Sequence, residues 1–349
     1  MAAMMSPFSP EGVSLTGVVV VFALAVVVIA WFGVRMTGVA RELAHATGMG
    51  EALMGAVFIG ASTSLSGIVT SVTAAAQGHA ELAVSNSLGG IAAQTVFLAI
   101  ADMFYRKANL EHAAASAENL MMTAFFITLL AIPLIAFASP QLTLWGVHPA
   151  SVVLIVAYAF GVQILAKTHD MPMWLPRRTR DTRTETRPQG TRAHGSLSRL
   201  WLVFGAYVAL VGAAGWVLAN AGIAIAVRTG LSEGLVGGVF TAVSTSLPEL
   251  VVAVTAVRMR ALTLAVGDIV GGNAFDTLFI ALSDIAYRKG SIYAALTRTE
   301  LFWLAVTLLM AGILLMGLLH RERHGIANIG LESFLIVVLY IASLVFLSL

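Results

Sequence analysis

Ten apolar stretches, each close to the length that crosses a bilayer, leave this chain few folds to choose from. A membrane-spanning helix takes about 20 mostly apolar residues, and such stretches run at about 13–34, 50–76, 80–104, 119–139, 147–166, 200–221, 231–257, 262–286, 299–319 and 331–348. Lipid offers the backbone no hydrogen-bond partner, so only helices or a closed barrel can cross it. The period-2 alternation of a barrel is absent. With 58% of 349 residues hydrophobic and 11% charged, a soluble globule is excluded. The fold class is therefore an all-α polytopic membrane protein of about ten transmembrane helices.

The placement of charge argues against the nucleic-acid partner that a net charge of +2 would otherwise invite. If the 167–199 stretch is cytoplasmic, 16 of the 20 Lys and Arg fall on that side, and only Arg228, Arg288, Lys289 and Arg298 fall outside. That is the positive-inside bias of an inserted protein, and it puts both termini outside, in an inner or plasma membrane. Met1 to Gly12 holds no basic residue, and the apolar run after it is too long for a secretory signal, so it reads as an uncleaved helix. There is no cysteine, hence no disulfide or cysteine metal site. The bilayer and inorganic cations are the expected partners.

Ser62–Lys107 aligns without a gap on Ser244–Lys289, 182 residues on, with 21 of 46 pairs identical. The chain is an internal duplication: a first five-helix repeat over 1–166, a basic cytoplasmic linker over 167–199 and a second repeat over 200–349. Five helices is an odd number, so the halves insert with opposite orientation, as two inverted repeats around a mid-membrane site.

The duplicated stretches also hold the polar residues that an apolar span does not want. Each ionisable group at mid-membrane costs about 2.5 kcal/mol or more. Ser244-Thr245-Ser246-Leu247-Pro248-Glu249 sets hydroxyls and a carboxylate three and four residues apart, on one helix face. Pro248 removes a backbone donor and loosens the carbonyls of the preceding turn. Asn273 and Asp276 repeat the three-residue spacing, and Gly271-Gly272 and Gly89-Gly90 are expected to break their helices and turn carbonyls aside. Such oxygen-rich sets suit hard cations.

Thr-Ser-Leu-Pro-Glu, followed 27 residues after its Glu by the acid of Gly-Gly-Asn-Ala-Phe-Asp, resembles the second α-repeat of the cation/Ca2+ exchanger superfamily, which includes the sodium/calcium exchangers. Ser62–Lys107 resembles the first α-repeat, and the ten-helix plan is similar over nearly the whole chain. The resemblance implies a transporter rather than an enzyme, with Na+ and Ca2+ bound alternately where the repeats meet and access switched by the first helix of each half. It implies metal-binding roles for Thr245, Ser246, Glu249 and Asp276, and for Thr63 and Ser64; Asn273 and Gln94 complete the candidate set. The chain also departs from the pattern: Ser66-Gly67 stand where the family has Pro-Glu, Gln94 stands opposite Asp276, and Ile91 opposite Asn273.

Three readings follow: Ca2+ exchanged against Na+ or H+, exchange of a monovalent or other divalent cation, or a binding or regulatory protein that does not turn over. An intramembrane aspartyl protease, prompted by Gly267-Asp268, lacks its Tyr-Asp partner motif. No Walker pattern occurs, so no cofactor is expected and ion gradients would drive the cycle. Asp268 stands evenly between a weaker site role, two turns before Asp276, and a bond to a neighbouring helix; structural roles are expected for Asp102 and Asp284, paired locally with Arg106 and Arg288 at helix ends. Asn86 is expected to be packing, Pro133 a kink, and Trp145 and Tyr158 membrane-level aromatics.

Overall fold

The first helix runs well past the end of its apolar stretch. In the computed structural model, which describes residues 13–47, 60–105, 107–170, 175–177, 182, 196–323 and 330–348, α1 spans Leu15–Thr47, beyond the expected 13–34. The first polar residues after Val34, Arg35 and Thr37, satisfy themselves on the helix. Arg35 donates to the Trp31 carbonyl (3.2 Å) and stacks over its ring at 3.9 Å, and Thr37 bonds the Gly33 carbonyl, so the first charge does not end the helix.

The order continues through α2 (Gly60–Thr63), α3 (Leu65–Ala76), α4 (Ala80–Asp102), α5 (Leu110–Ala113), α6 (Ala117–Ala138) and α7 (Pro149–Asp170). The second half follows with α8 (Leu197–Thr229), α9 (Glu233–Leu235), a π-helical segment (Val236–Thr241), α10 (Ala242–Thr245), α11 (Leu247–Arg258), α12 (Leu262–Asp276), α13 (Leu278–Ala286), a 3-10 turn (Ile292–Ala295), α14 (Arg298–His320) and α15 (Leu331–Ser348). Six helices are long and apolar enough to span a bilayer, one bent pair (Glu233–Thr245 with Leu247–Arg258, 45°) makes another span, and the shorter apolar helices Leu65–Ala76, Pro149–Leu165 and Leu331–Leu347 occupy the remaining expected stretches. Residues 1–12, 50–59 of the expected second span, Arg106 and most of the 167–199 linker lie outside the described residues.

The duplication extends through the elements. α1 and α8, α2 and α10, and α3 and α11 each begin and end 182 residues apart. Spans two and seven break at the same place with the same backbone: Ser64 has φ −85° and ψ 2°, Ser246 φ −94° and ψ 2°. Pro248 accounts for the second break by sitting in the first turn of α11. The first break occurs with Ser66 in its place.

The glycine pairs do not act as expected. α4 is continuous through Gly89-Gly90 and α12 through Gly271-Gly272. The interruption instead follows Asp276, at Thr277, where the Ser87 hydroxyl takes the Asp276 carbonyl at 2.8 Å; a side chain bonding into the helix ladder bends it. The glycines serve close approach. A Cβ on Gly89 would lie 2.1 Å from the Gly238 carbonyl oxygen, and one on Gly90 3.3 Å from Ser246 Oγ.

α4 is almost wholly buried, whereas α1 and α8 pack along each other and leave most of their apolar surface exposed. Val20, Leu24, Val27, Leu202 and Val227 form that face, suited to lipid. Each long helix touches the centre through an equivalent glycine: Gly33 lies against Pro248 and Gly215 against the Ser66 carbonyl.

Several packing expectations change partners. Asp284 accepts from the backbone N–H of Ile292 and His148 and from Ser151 Oγ, and Asp102 from the N–H of Leu110 and Gly330. Each aspartate thus ties two loops together through backbone donors; for Asp284 this role replaces the expected pairing with Arg288, while Arg106, the expected partner of Asp102, lies outside the described residues. Tyr158 is buried, edge-on to Phe275 at 5.7 Å, while Trp145 is exposed in the Pro140–His148 loop. Pro133 lies inside α6 without ending it. Asp268 does bond a neighbouring helix, at 3.0 Å from Arg41 of α1, and Asn86 packs against Ser71 and Thr241.

Candidate functional site

The two breaks bring the hydroxyl-rich turns of both halves against α4 and α12, and Asp276 is the point at which they join. Its Oδ1 accepts from Ser64 Oγ at 2.5 Å and its Oδ2 from Gln94 Nε2 at 2.6 Å. Gln94 Nε2 also reaches Ser246 Oγ at 3.3 Å. Gln94 and Asp276 are repeat mates, as are Ser64 and Ser246, so the network runs across the pseudo-twofold relation. Ser66 Oγ crosses to the Thr245 carbonyl at 3.2 Å, a carbonyl in the turn before Pro248.

Glu249 lies beside this network, close enough to Asp276 for the carboxyls to interact and within hydrogen-bonding reach of Thr63. The Thr63 and Thr245 hydroxyls both return to their own helices, on the Gly60 and Ala242 carbonyls. Asn273 donates to Thr95 Oγ1 at 3.0 Å. All eight expected residues, Thr63, Ser64, Gln94, Thr245, Ser246, Glu249, Asn273 and Asp276, fall in this region, and none is more than 8% exposed. An ion held here is out of contact with bulk water.

Three oxygens in the region have no hydrogen-bond partner although they are buried: Gln94 Oε1, Glu249 Oε2 and Asn273 Oδ1. Buried acceptors are normally satisfied, since leaving one unpaired costs about 1–3 kcal/mol. The uncommitted atoms are all acceptors, the kind a hard cation takes. Among the described residues no three His, Asp or Glu side chains gather into a metal cage, so the region offers two carboxylates and otherwise neutral oxygens.

Sequence spacing missed four residues. Ser66, Ser87 and Thr95 contribute hydroxyls that are ordinary small residues in a one-dimensional reading, and only the fold shows that they meet Thr245, Asp276 and Asn273. Phe279 is the fourth. A Cβ on Gly67 would lie 2.6 Å from its ring, so the ring fills the space next to the position where a first-repeat glutamate would begin.

The sodium/calcium exchanger protein family matches residues 17–166 and 198–349, both halves and nearly the whole chain. The chain belongs to this family. It is also similar to the putative antiporter CaxA of Alkalimonas amylolytica, 25% identical over 328 residues covering 86% of this chain and 90% of the relative. Structures of the sodium-calcium exchanger NCX_Mj share the fold. One soaked with Na+ and Sr2+ superposes with a TM-score of 0.60 at 15% identity, covering 95% of this chain and 99% of the other. One soaked without Na+ or Ca2+ gives 0.57 at 16% identity, covering 93% and 97%. Within this exchanger family the present chain keeps two inverted five-helix repeats and meets its partner repeat through Asp276, with a glycine in the first repeat where the second has Glu249.

Proposed function

We propose that the chain is a secondary active cation antiporter that alternates access around the Glu249–Asp276 region, exchanging Ca2+ against Na+ or H+. The observation that carries this reading is the set of unpaired buried oxygens on Gln94, Glu249 and Asn273, drawn from both repeats and next to two carboxylates. Thr63, Ser64, Thr245 and Ser246 would supply hydroxyl or carbonyl ligands, and two ionised carboxylates would neutralise a divalent ion. Gly33 on Pro248 and Gly215 on Ser66 let α1 and α8 run directly over the breaks, the placement needed for each long helix to open one side in turn.

A second reading, exchange of a monovalent cation, is favoured by Phe279, which occupies the Gly67 side and leaves a lopsided shell. Radiolabelled Ca2+ uptake into proteoliposomes with an outward Na+ gradient, then an outward H+ gradient, decides between them. Ca2+ accumulation under either gradient supports the first. Its absence, with labelled Na+ accumulating under an outward H+ gradient, supports the second. No flux of either ion would sink both. The double variant Gly67→Glu with Phe279→Ala adds a third carboxylate with room for it and should tighten apparent Ca2+ affinity by about tenfold, because ligand charge sets affinity. Gly67→Glu alone meets the ring and should not.

A further inference from the structure

A second group of buried acids lies apart from the transport region, at the end of the molecule where Arg321 donates to the Arg177 carbonyl and the Thr182 hydroxyl of the linker. Asp102 closes α4, Glu111 sits in the single turn of α5, and Glu332 opens α15. Asp102 is satisfied by the N–H groups of Leu110 (2.7 Å) and Gly330 (3.2 Å). Glu111 is not. Its Oε1 accepts from Ser333 Oγ at 2.7 Å, but its Oε2 has no partner, although the residue is only 2% exposed. That oxygen looks towards Gly330. A Cβ on Gly330 would lie 3.2 Å from Glu111 Oε2, 3.0 Å from Glu332 Oε2 and 3.5 Å from Asn109 Nδ2, so two carboxylate oxygens face one point.

Among the described residues the charges acting on Glu111 are acidic: Glu332 from α15, Glu322 from just past α14 and Asp102 from α4, while Arg323 reaches the same corner through its backbone carbonyl, which accepts from the Asn109 N–H at 3.0 Å. Arg321 is turned to the linker and the His112 carbonyl, His112 Nδ1 lies on the Arg321 carbonyl, and Asp268 of α12 is paired with Arg41. The other half of the molecule shows what packing alone requires here. Its loops are tied by Asp284 as these are by Asp102, and Ser151 meets the Tyr293 hydroxyl at 3.2 Å where Ser333 meets Glu111. Tyr293 and Ala150 stand 182 residues from Glu111 and Glu332. The tie works with a neutral tyrosine, so the extra acids do something other than hold the loops.

We propose that Glu111 is a proton-binding site: its Oε2 carries a proton directed towards Glu332, and it releases that proton as the pH on the linker side rises. Two buried carboxylates facing one point cannot both remain ionised without strong repulsion, and a proton on Oε2 turns an orphaned acceptor into a donor. Burial raises the Glu111 carboxyl above its ordinary value of 4.5, and Glu332 and Glu322 add to this against hydrogen bonds from Ser333 and from the residue's own backbone N–H. α5 packs on α12 and α14, so a charge arising at Glu111 acts on the helix that carries Asn273 and Asp276.

The sign of the effect follows from linkage. The unfolded chain loses this proton near the ordinary glutamate value while the folded chain keeps it, so folded stability falls as pH rises between the two values and is level outside them. Thermal unfolding of the full chain in detergent, measured from mildly acid to mildly alkaline pH, should show such a fall in the wild type, at most about tenfold in the folding equilibrium per pH unit for one proton. Glu111→Gln keeps the shape with no proton to lose and should remove that component. Glu111→Tyr, the side chain that the other half uses, should do the same, and keeps the test open if the glutamine variant does not fold. Glu332→Gln should shorten the fall by removing a neighbouring negative charge. Infrared spectra should lose a protonated-carboxyl band in Glu111→Gln. Profiles of both Glu111 variants that overlay the wild type, or an unchanged carboxyl band, would overturn the proposal.

Discussion

Glu249→Gln should reduce gradient-driven cation flux by at least about tenfold while leaving the protein folded. Glutamine keeps the length and shape of the side chain, and the position is already buried next to polar neighbours, so packing changes little. The charge and one acceptor are lost. The unpaired Oε2 becomes an oxygen without charge or an amide N–H₂ that points hydrogens at the ion. A single charge at 4 Å contributes about 4 kcal/mol to a monovalent ion at an effective dielectric near 20, and about twice that to a divalent one. Even a third of the smaller figure is about tenfold in affinity, so the loss should be large for either ion and larger for Ca2+ than for Na+. Paired uptake assays in proteoliposomes, with thermal unfolding as the check on folding, measure it. Retained flux in Glu249→Gln would move the ion away from Glu249 and undo the proposed site.

The asymmetry between the two carboxylates follows from what each is bonded to. Asp276 is held at both oxygens by Ser64 and Gln94, so it arrives at any ion already oriented. Glu249 retains a free oxygen. Asp276→Asn would therefore disturb the join between the repeats as well as the charge, and Glu249→Gln is the cleaner probe of ion binding.

Much of this was legible in the chain before folding. The apolar stretches placed the spans, because a bilayer imposes a length that composition alone can meet, and the gap-free duplication placed the repeat mates. The polar candidates were legible because mid-membrane carboxylates and amides are costly. What one dimension does not carry is which residue of the opposite half each would meet. Gln94 is the mate of Asp276 and also its hydrogen-bond partner, a relation only the packed pseudo-twofold produces. The glycine pairs were misread for a related reason: helix propensity marks Gly-Gly as weak, but tertiary packing keeps α4 and α12 continuous, and close backbone approach is what those positions supply. Phe279 was invisible because its consequence lies in the space beside Gly67, a residue 212 positions earlier.

Gly89→Ala should be among the most destabilising single-methyl changes in the molecule. The added Cβ would stand 2.1 Å from the Gly238 carbonyl oxygen and 2.6 Å from its carbonyl and α carbons, where carbon atoms normally keep about 3.5–4.0 Å. Those atoms are backbone, so no side-chain rotation relieves the contact. The π-helical segment must move instead, and it is held between two helices: a Cβ on Gly237 would meet the Leu82 carbonyl of α4 itself at 2.6 Å, and one on Gly238 the Trp303 ring of α14 at 2.4 Å. Overpacking costs about 1–3 kcal/mol and sometimes more; with backbone on both sides the upper part of that range applies. The cost also reaches the ion region, since the segment runs directly into α10 and the Ser246 break. Gly312→Ala is the matched control. Its Cβ would meet nothing within 4 Å on α14, so it should be neutral or gain about 0.5–1 kcal/mol from the lost glycine freedom. Thermal unfolding of the two variants in the same detergent should therefore shift in opposite directions or by very different amounts, and the Gly89→Ala protein that remains folded should transport more slowly. Equal behaviour of the two would mean that α4 and the π-helical segment do not meet backbone to backbone, and that the glycines are there for another reason.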